Sequence, residues 1–107
     1  LDEKQLEKAM QLIAVAGNAK SMAITAMNQA EAGQIEQAQQ TLVEAKKSLH
    51  EAHSIQTAWM TAEMNGEKVE KTIMLIHSKD HFMSADIMLT VAEKVIKLHQ
   101  ELVTLKG

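Results

Sequence analysis

The chain of 107 residues has no cysteine, no proline and no arginine, and only two aromatic side chains, Trp59 and Phe82. Without cysteine there is neither a disulfide framework nor a thiolate metal site. Without arginine the usual bidentate reader of guanine and phosphate is missing, and two aromatics make no stacking platform. All basic residues are lysines, the formal charge is −3, and no nucleic-acid partner is expected. No apolar run approaches the roughly 20 residues that a membrane span needs, and the first residues lack a signal-peptide layout. A single soluble, cytoplasmic domain covering residues 1–107 is the expectation, large enough to bury a core without staples.

With proline absent, the glycines are the only strong punctuation. Gly33 in "EAGQ" and Gly66 in "MNGE" divide the sequence into three pieces rich in helix formers. Glycine just past an apolar periodic stretch is a helix C-terminal signal, and Asn65-Gly66 also favours a turn. The expected helices cover about residues 3–31, 35–64 and 67–106. Each carries an apolar seam at spacings of 3 and 4. The first seam runs Leu6, Met10, Ile13, Gly17, Ser21, Ile24, Met27. The second runs Ile35, Ala38, Leu42, Ala45, Leu49, Ala52, Gln56, Trp59. The third runs Val69, Ile73, Ile76, Asp80, Met83, Ile87, Val91, Val95, Leu98, Leu102, Leu105. Three helices with short connections predict an all-α, antiparallel three-helix bundle.

Helices of about 30 to 40 residues far exceed the usual mean near 11 or 12. The third is expected to overhang the other two by several turns. The seams are also thin: Gly17, Ser21 and the alanines of the second helix leave little bulk for a core, with eight methionines to fill gaps. A third helix that pairs with copies of itself would supply the missing burial, so self-association is expected.

The third seam has one anomaly, in "MLIHSKDHFM", residues 74–83. Asp80 sits among ten apolar positions, where an unpaired buried carboxylate is costly. It must face solvent, pair with Lys79 or His81, or bind a cation; if the helix lines a symmetry axis, a hard divalent ion would relieve repulsion between copies. His77, Asp80 and His81 project from one side of the helix. Spacing alone leaves several readings open: a zinc site, general acid–base chemistry, a nucleophilic His77 that carries a group covalently, or two interfacial histidines without a task. HExxH, a Gly-rich oxyanion loop and a Walker-type phosphate loop are all absent. No nucleotide is expected.

With these residues quoted, the sequence resembles the lactose/cellobiose-type enzyme IIA family of the bacterial phosphoenolpyruvate-dependent sugar phosphotransferase system. "VAGNAKSMAITAMNQA" resembles the family's first helix, with its Gly-x-Ala-(Lys/Arg)-Ser core. "EAHSIQT" resembles the second-helix motif, with His53, Gln56 and Thr57 in place. "NGEKVEKTIMLIHSKDHFMSA" resembles the strongest signature, a Gly-Glu stretch, an apolar run and His-x-x-Asp-His-x-Met. The three lie in order at matching spacing along nearly the whole chain.

The resemblance implies a homotrimer of three-helix bundles that acts as a phosphotransferase component. Phosphorylated HPr is the implied donor, a cysteine of the cognate enzyme IIB the implied acceptor, and disaccharide uptake the purpose. The membrane is involved only indirectly, through the sugar permease. The implied phosphorylated residue is His77, and the implied metal residue is Asp80, holding a divalent cation, magnesium, on the trimer axis. His81, His53, Gln56 and Lys79 are candidates to line the site. Lys79 stands where the family usually has glutamine and Ser78 where alanine is common, which bears on partner choice. Neither the sugar nor the phosphorylated ring nitrogen follows, although the resemblance suggests Nε2. Two other classes compete: a non-enzymatic metal-binding helical adaptor, and a two-component phosphotransfer domain whose His-x-Leu-Lys-Gly pattern "HSKDH" does not meet.

Overall fold

The computed structural model describes residues 2–106, in three helices: α1, Glu3–Glu31; α2, Ile35–Met64; and α3, Ile73–Lys106. No strand occurs among the described residues, and none of the helices is long and apolar enough to cross a membrane. The elongated bundle measures 58 × 20 × 18 Å. Side-chain pairs fix its sense: Asn18 to Ser48 ties α1 to α2, and Lys46–Glu93 and Gln39–Gln100 tie α2 antiparallel to α3.

The ends of the helices follow from local chemistry. Asp2 caps α1, its carboxylate accepting from the Gln5 amide at 2.7 Å. At the other end of α1 the chain turns through Gly33 at φ +83°. The Gly33 amide donates to the Ala30 carbonyl and the Gln34 amide to the Gln29 carbonyl. Gly66, at φ +86°, repeats this after α2, with its amide donating to Glu63 and that of Glu67 to Ala62. Both are left-handed caps that a side chain would strain.

The third helix starts at Ile73 rather than near residue 67. Residues 67–72 are not helical. The Thr72 hydroxyl accepts from the Leu75 amide at 3.2 Å, as an N-cap does, and Val69 turns in against the core. Gln5 holds this segment by donating to the Lys68 carbonyl. With 34 residues against 29 and 30, α3 exceeds its neighbours by about one turn, not several.

The core corrects two of the three seams. On α2 the expected residues Ala38, Leu42, Ala45, Ala52 and Trp59 are buried. On α1 the buried stripe is Ala9, Leu12, Ala16, Ala19, Ala23, Ala26 and Ala30, displaced from the expected seam. Its large residues Leu6, Met10 and Ile24 are exposed instead. On α3 the buried stripe is Leu75, Ser78, Phe82, Ala85, Leu89, Ala92 and Ile96. The physical reason is the position of α1, which packs closely on both α2 and α3. Alanine on that face allows backbones to approach, and a larger side chain would wedge them apart. Ser78 is fully buried because its hydroxyl donates to the Leu75 carbonyl at 2.7 Å.

The expected third seam is thus a surface. Among the described residues sixteen large hydrophobic side chains are exposed, and ten of them lie on α3, including Ile76, Met83, Ile87, Val91, Leu98 and Leu102. This stripe keeps its 3–4 spacing along the whole helix, the spacing of a coiled-coil seam. The single chain leaves it unpartnered.

Candidate active site

Two turns of α3 organise the site. Taking about 100° per residue, three directions leave the helix at the level of residues 76–83. Asp80 points outward on the exposed stripe, between Ile76 and Met83. His77 and His81 project on one flank, about 40° apart, and Lys79 projects on the other, about 160° from His77. The core face, with Ser78 and Phe82, lies between the flanks.

The two histidines touch. Their Nε2 atoms are 3.1 Å apart and the rings meet edge to face, with centroids 4.5 Å apart. In such a contact one Nε2 carries a hydrogen and the other offers its lone pair. His77 is exposed and His81 partly buried, so the more accessible ring is that of His77. A nucleophile needs such a lone pair in reach of a partner, and the neighbouring imidazole fixes where that nitrogen lies.

The remaining sequence candidates lie elsewhere in the single chain. His53, on α2, packs its ring on Phe82, with centroids 5.7 Å apart. With His50 it lines a groove of about 480 Å³ between α2 and α3, floored by Leu49, Phe82 and Leu89 and rimmed by Lys46, Asp86 and Glu93. This groove was not legible from the motifs. It exists because α2 and α3 approach each other less closely than either approaches α1. Gln56 is partly buried and its Oε1 has no hydrogen-bond partner. Lys79 is partly buried and, among the described residues, has no ion-pair partner. His99 lies about 33 Å along α3 from His77.

The donor set limits what one chain can hold. Among the described residues no three His, Cys, Asp or Glu side chains converge. His77 and His81 therefore have no third ligand for zinc, which takes four. Asp80 is a single hard oxygen donor on an exposed face, which fits a divalent ion only where symmetry copies bring further carboxylates to it.

Fold and site together describe a three-helix bundle with a surface histidine pair on its longest helix. The family model for the PTS system lactose/cellobiose specific IIA subunit matches residues 7–100, and the chain belongs to that family. It is 32% identical to the lichenan-specific phosphotransferase enzyme IIA component of Bacillus subtilis, over 100% of this chain and 97% of that protein. Its fold is similar to the crystal structure of the PTS cellobiose specific enzyme IIA from Bacillus anthracis, with a TM-score of 0.93, 36% identity and coverage of 100% and 97% of the two chains. It is also similar to the IIA(Chitobiose) of the Escherichia coli N,N'-diacetylchitobiose branch, solved in solution as a complex with HPr: TM-score 0.77, 29% identity, coverage 94% and 97%.

Proposed function

We propose that this chain carries phosphoryl groups on His77, accepting them from phosphorylated HPr and passing them to a cysteine of a cognate enzyme IIB during disaccharide uptake. The observation that supports this most is the His77–His81 contact: an exposed imidazole whose Nε2 is aligned by a second imidazole 3.1 Å away. The relative solved with HPr supports the choice of donor. Lichenan, cellobiose and chitobiose relatives surround the chain, and its own sugar is left open because His77 meets proteins and not the sugar.

In the first half-reaction the Nε2 lone pair of His77 attacks phosphorus in line as the phosphoryl bond to the donor breaks. In the second a thiolate of the acceptor takes the group and the N–P bond breaks, returning the electron pair to His77. The partners bring the group already activated, so positioning and charge stabilisation make up most of the catalysis. With phosphorus on Nε2 of His77, the His81 Nε2–H is within reach of a phosphoryl oxygen. Because the Nε2 lone pair of His77 is the one that meets His81 in the free protein, the His81 ring must turn aside on phosphoryl transfer before its Nε2–H can donate to a phosphoryl oxygen.

The protein works as a homotrimer in the cytoplasm, with the α3 stripe on the symmetry axis. Ten exposed large hydrophobic residues on one helix are more than a monomer leaves in water without a partner. On that axis Asp80 meets its copies, and three carboxylates suit a hard divalent cation, magnesium being the choice. The ion would neutralise their mutual repulsion.

The test is intact mass after incubation with phosphoenolpyruvate, enzyme I and HPr, for wild type and His77→Ala. One acid-labile phosphoryl group per chain, absent from the variant, is expected. No mass gain with demonstrably phosphorylated HPr present would refute the carrier and leave the metal-binding adaptor.

A further inference from the structure

At the end of the bundle where α1 begins and α2 stops, the chain forms a cavity of about 310 Å³. No residue of α3 lines it, so it is separate from the His77–His81 pair. Trp59 is the only buried residue among those that line it and forms its floor, with Ala62 and Val69 partly buried beside it. The rim carries Lys4 and Lys8 from α1 and Lys68 from the segment that follows α2. Gln5 ties that segment to α1 by donating from Nε2 to the Lys68 carbonyl at 3.3 Å, which holds the two sides of the rim together.

The rim has a sign. Lys4 and Lys8 stand one turn apart on the same face of α1, where like charges repel. None of the three lysines has an ion-pair partner among the described residues. Only Asp2 and Glu67 oppose them, and the Asp2 carboxylate is already engaged in capping the Gln5 amide. A net positive rim thus sits on a chain whose formal charge is −3. The floor adds a donor. The Trp59 Nε1 is buried and has no hydrogen-bond partner among the described residues, although a buried indole N–H usually finds one.

These groups select a class of ligand. Without arginine there is no bidentate fork, and lysines act as point charges, the way they hold a phosphate. A phosphomonoester carries close to two charges at neutral pH and gains about twice the attraction of a monocarboxylate. The volume lies at the lower end of the range for small-molecule sites. We propose that this cavity binds a small phosphomonoester, with its phosphoryl oxygens against Lys4, Lys8 and Lys68 and its carbon part on Trp59, Ala62 and Val69. The ligand supplies the acceptor that the Trp59 N–H lacks. The site stands apart from the phosphohistidine chemistry of His77 and does not depend on it.

Trp59 is the only tryptophan, so its fluorescence reports occupation directly. Glycerol phosphate should give a saturable change in emission at low salt, beyond that of sodium chloride at matched ionic strength. Lys8→Ala and Lys68→Ala should each weaken binding on the order of ten-fold, and Lys8→Arg should bind as wild type does. Both lysines are exposed, so circular dichroism should show unchanged helix content in these variants. Trp59→Phe keeps a ring on the floor and removes the donor; by isothermal titration it should bind the ester several-fold more weakly. A change in emission that sodium chloride reproduces overturns the proposal. An affinity unaltered in the lysine variants or in Trp59→Phe does the same. Inorganic phosphate that binds as tightly as glycerol phosphate overturns the ester and leaves a site for the free anion.

Discussion

Ile87→Ser separates the energetics of assembly from those of the fold. Ile87 lies in the middle of the α3 stripe and is 63% exposed, so the single chain buries little of it. Burying a whole isoleucine is worth about 1.5–3 kcal/mol, so the part left for a partner is worth about 1–2 kcal/mol per subunit. A threefold axis multiplies this to about 3–6 kcal/mol per trimer, or roughly two to four powers of ten in the dissociation equilibrium. The fold of one chain should lose only about 0.5 kcal/mol, as an exposed substitution does. Leu12→Ala is the opposite case. Leu12 has no exposed surface, and truncating it should cost the fold about 2–5 kcal/mol. Sedimentation equilibrium over a dilution series, with thermal unfolding at low concentration, reads both quantities. Ile87→Ser should dissociate at concentrations where wild type stays assembled, with helix content unchanged. An assembly as tight as wild type, or a loss of helix as large as that of Leu12→Ala, would refute the assignment of this face.

Asp80→Leu should keep or tighten the trimer while abolishing divalent-cation binding, because it replaces repelling carboxylates by apolar side chains; isothermal titration with Mg²⁺ and sedimentation measure the two, and dissociation to monomers would defeat the axial placement. Gly33→Ala should destabilise the fold by about 1–2 kcal/mol, since the backbone there sits at φ +83°. Open space around that position leaves nothing else for the methyl group to disturb, so a thermal melt equal to wild type would mean that the left-handed cap had relaxed.

The helix count and the ends of α1 and α2 were legible because Gly33 and Gly66 mark them chemically. The α2 seam was legible because its buried positions include Leu42 and Trp59, which stand out from polar neighbours. The seams of α1 and α3 were misplaced for one reason: a periodicity search follows bulk, and this core is made of small residues. Ala16, Ala19, Ala23 and Ser78 carry little hydrophobic signal, yet they are wholly buried. The start of α3 was hidden by Glu67–Lys71, a run with no breaker, whereas the actual boundary is the hydroxyl of Thr72. In the site, the spacing of His77 and His81 was enough to bring them together. The separation of Lys79 from that pair also follows from about 100° per residue, whereas the packing of His53 on Phe82 required the placement of α2 against α3, which spacing alone does not contain.

The alanine face of α1 has a consequence for how this chain tolerates change. In most domains bulky apolar substitutions are safest inside and polar ones safest outside. Here the rule should run backwards along much of α1 and α3. Interior sites such as Ala16 and Ala19 admit only the smallest side chains, whereas outer sites such as Met83 and Ile87 are held to large apolar ones. A survey of permitted substitutions would therefore record the shape of the neighbouring copies more strongly than the interior of the chain itself.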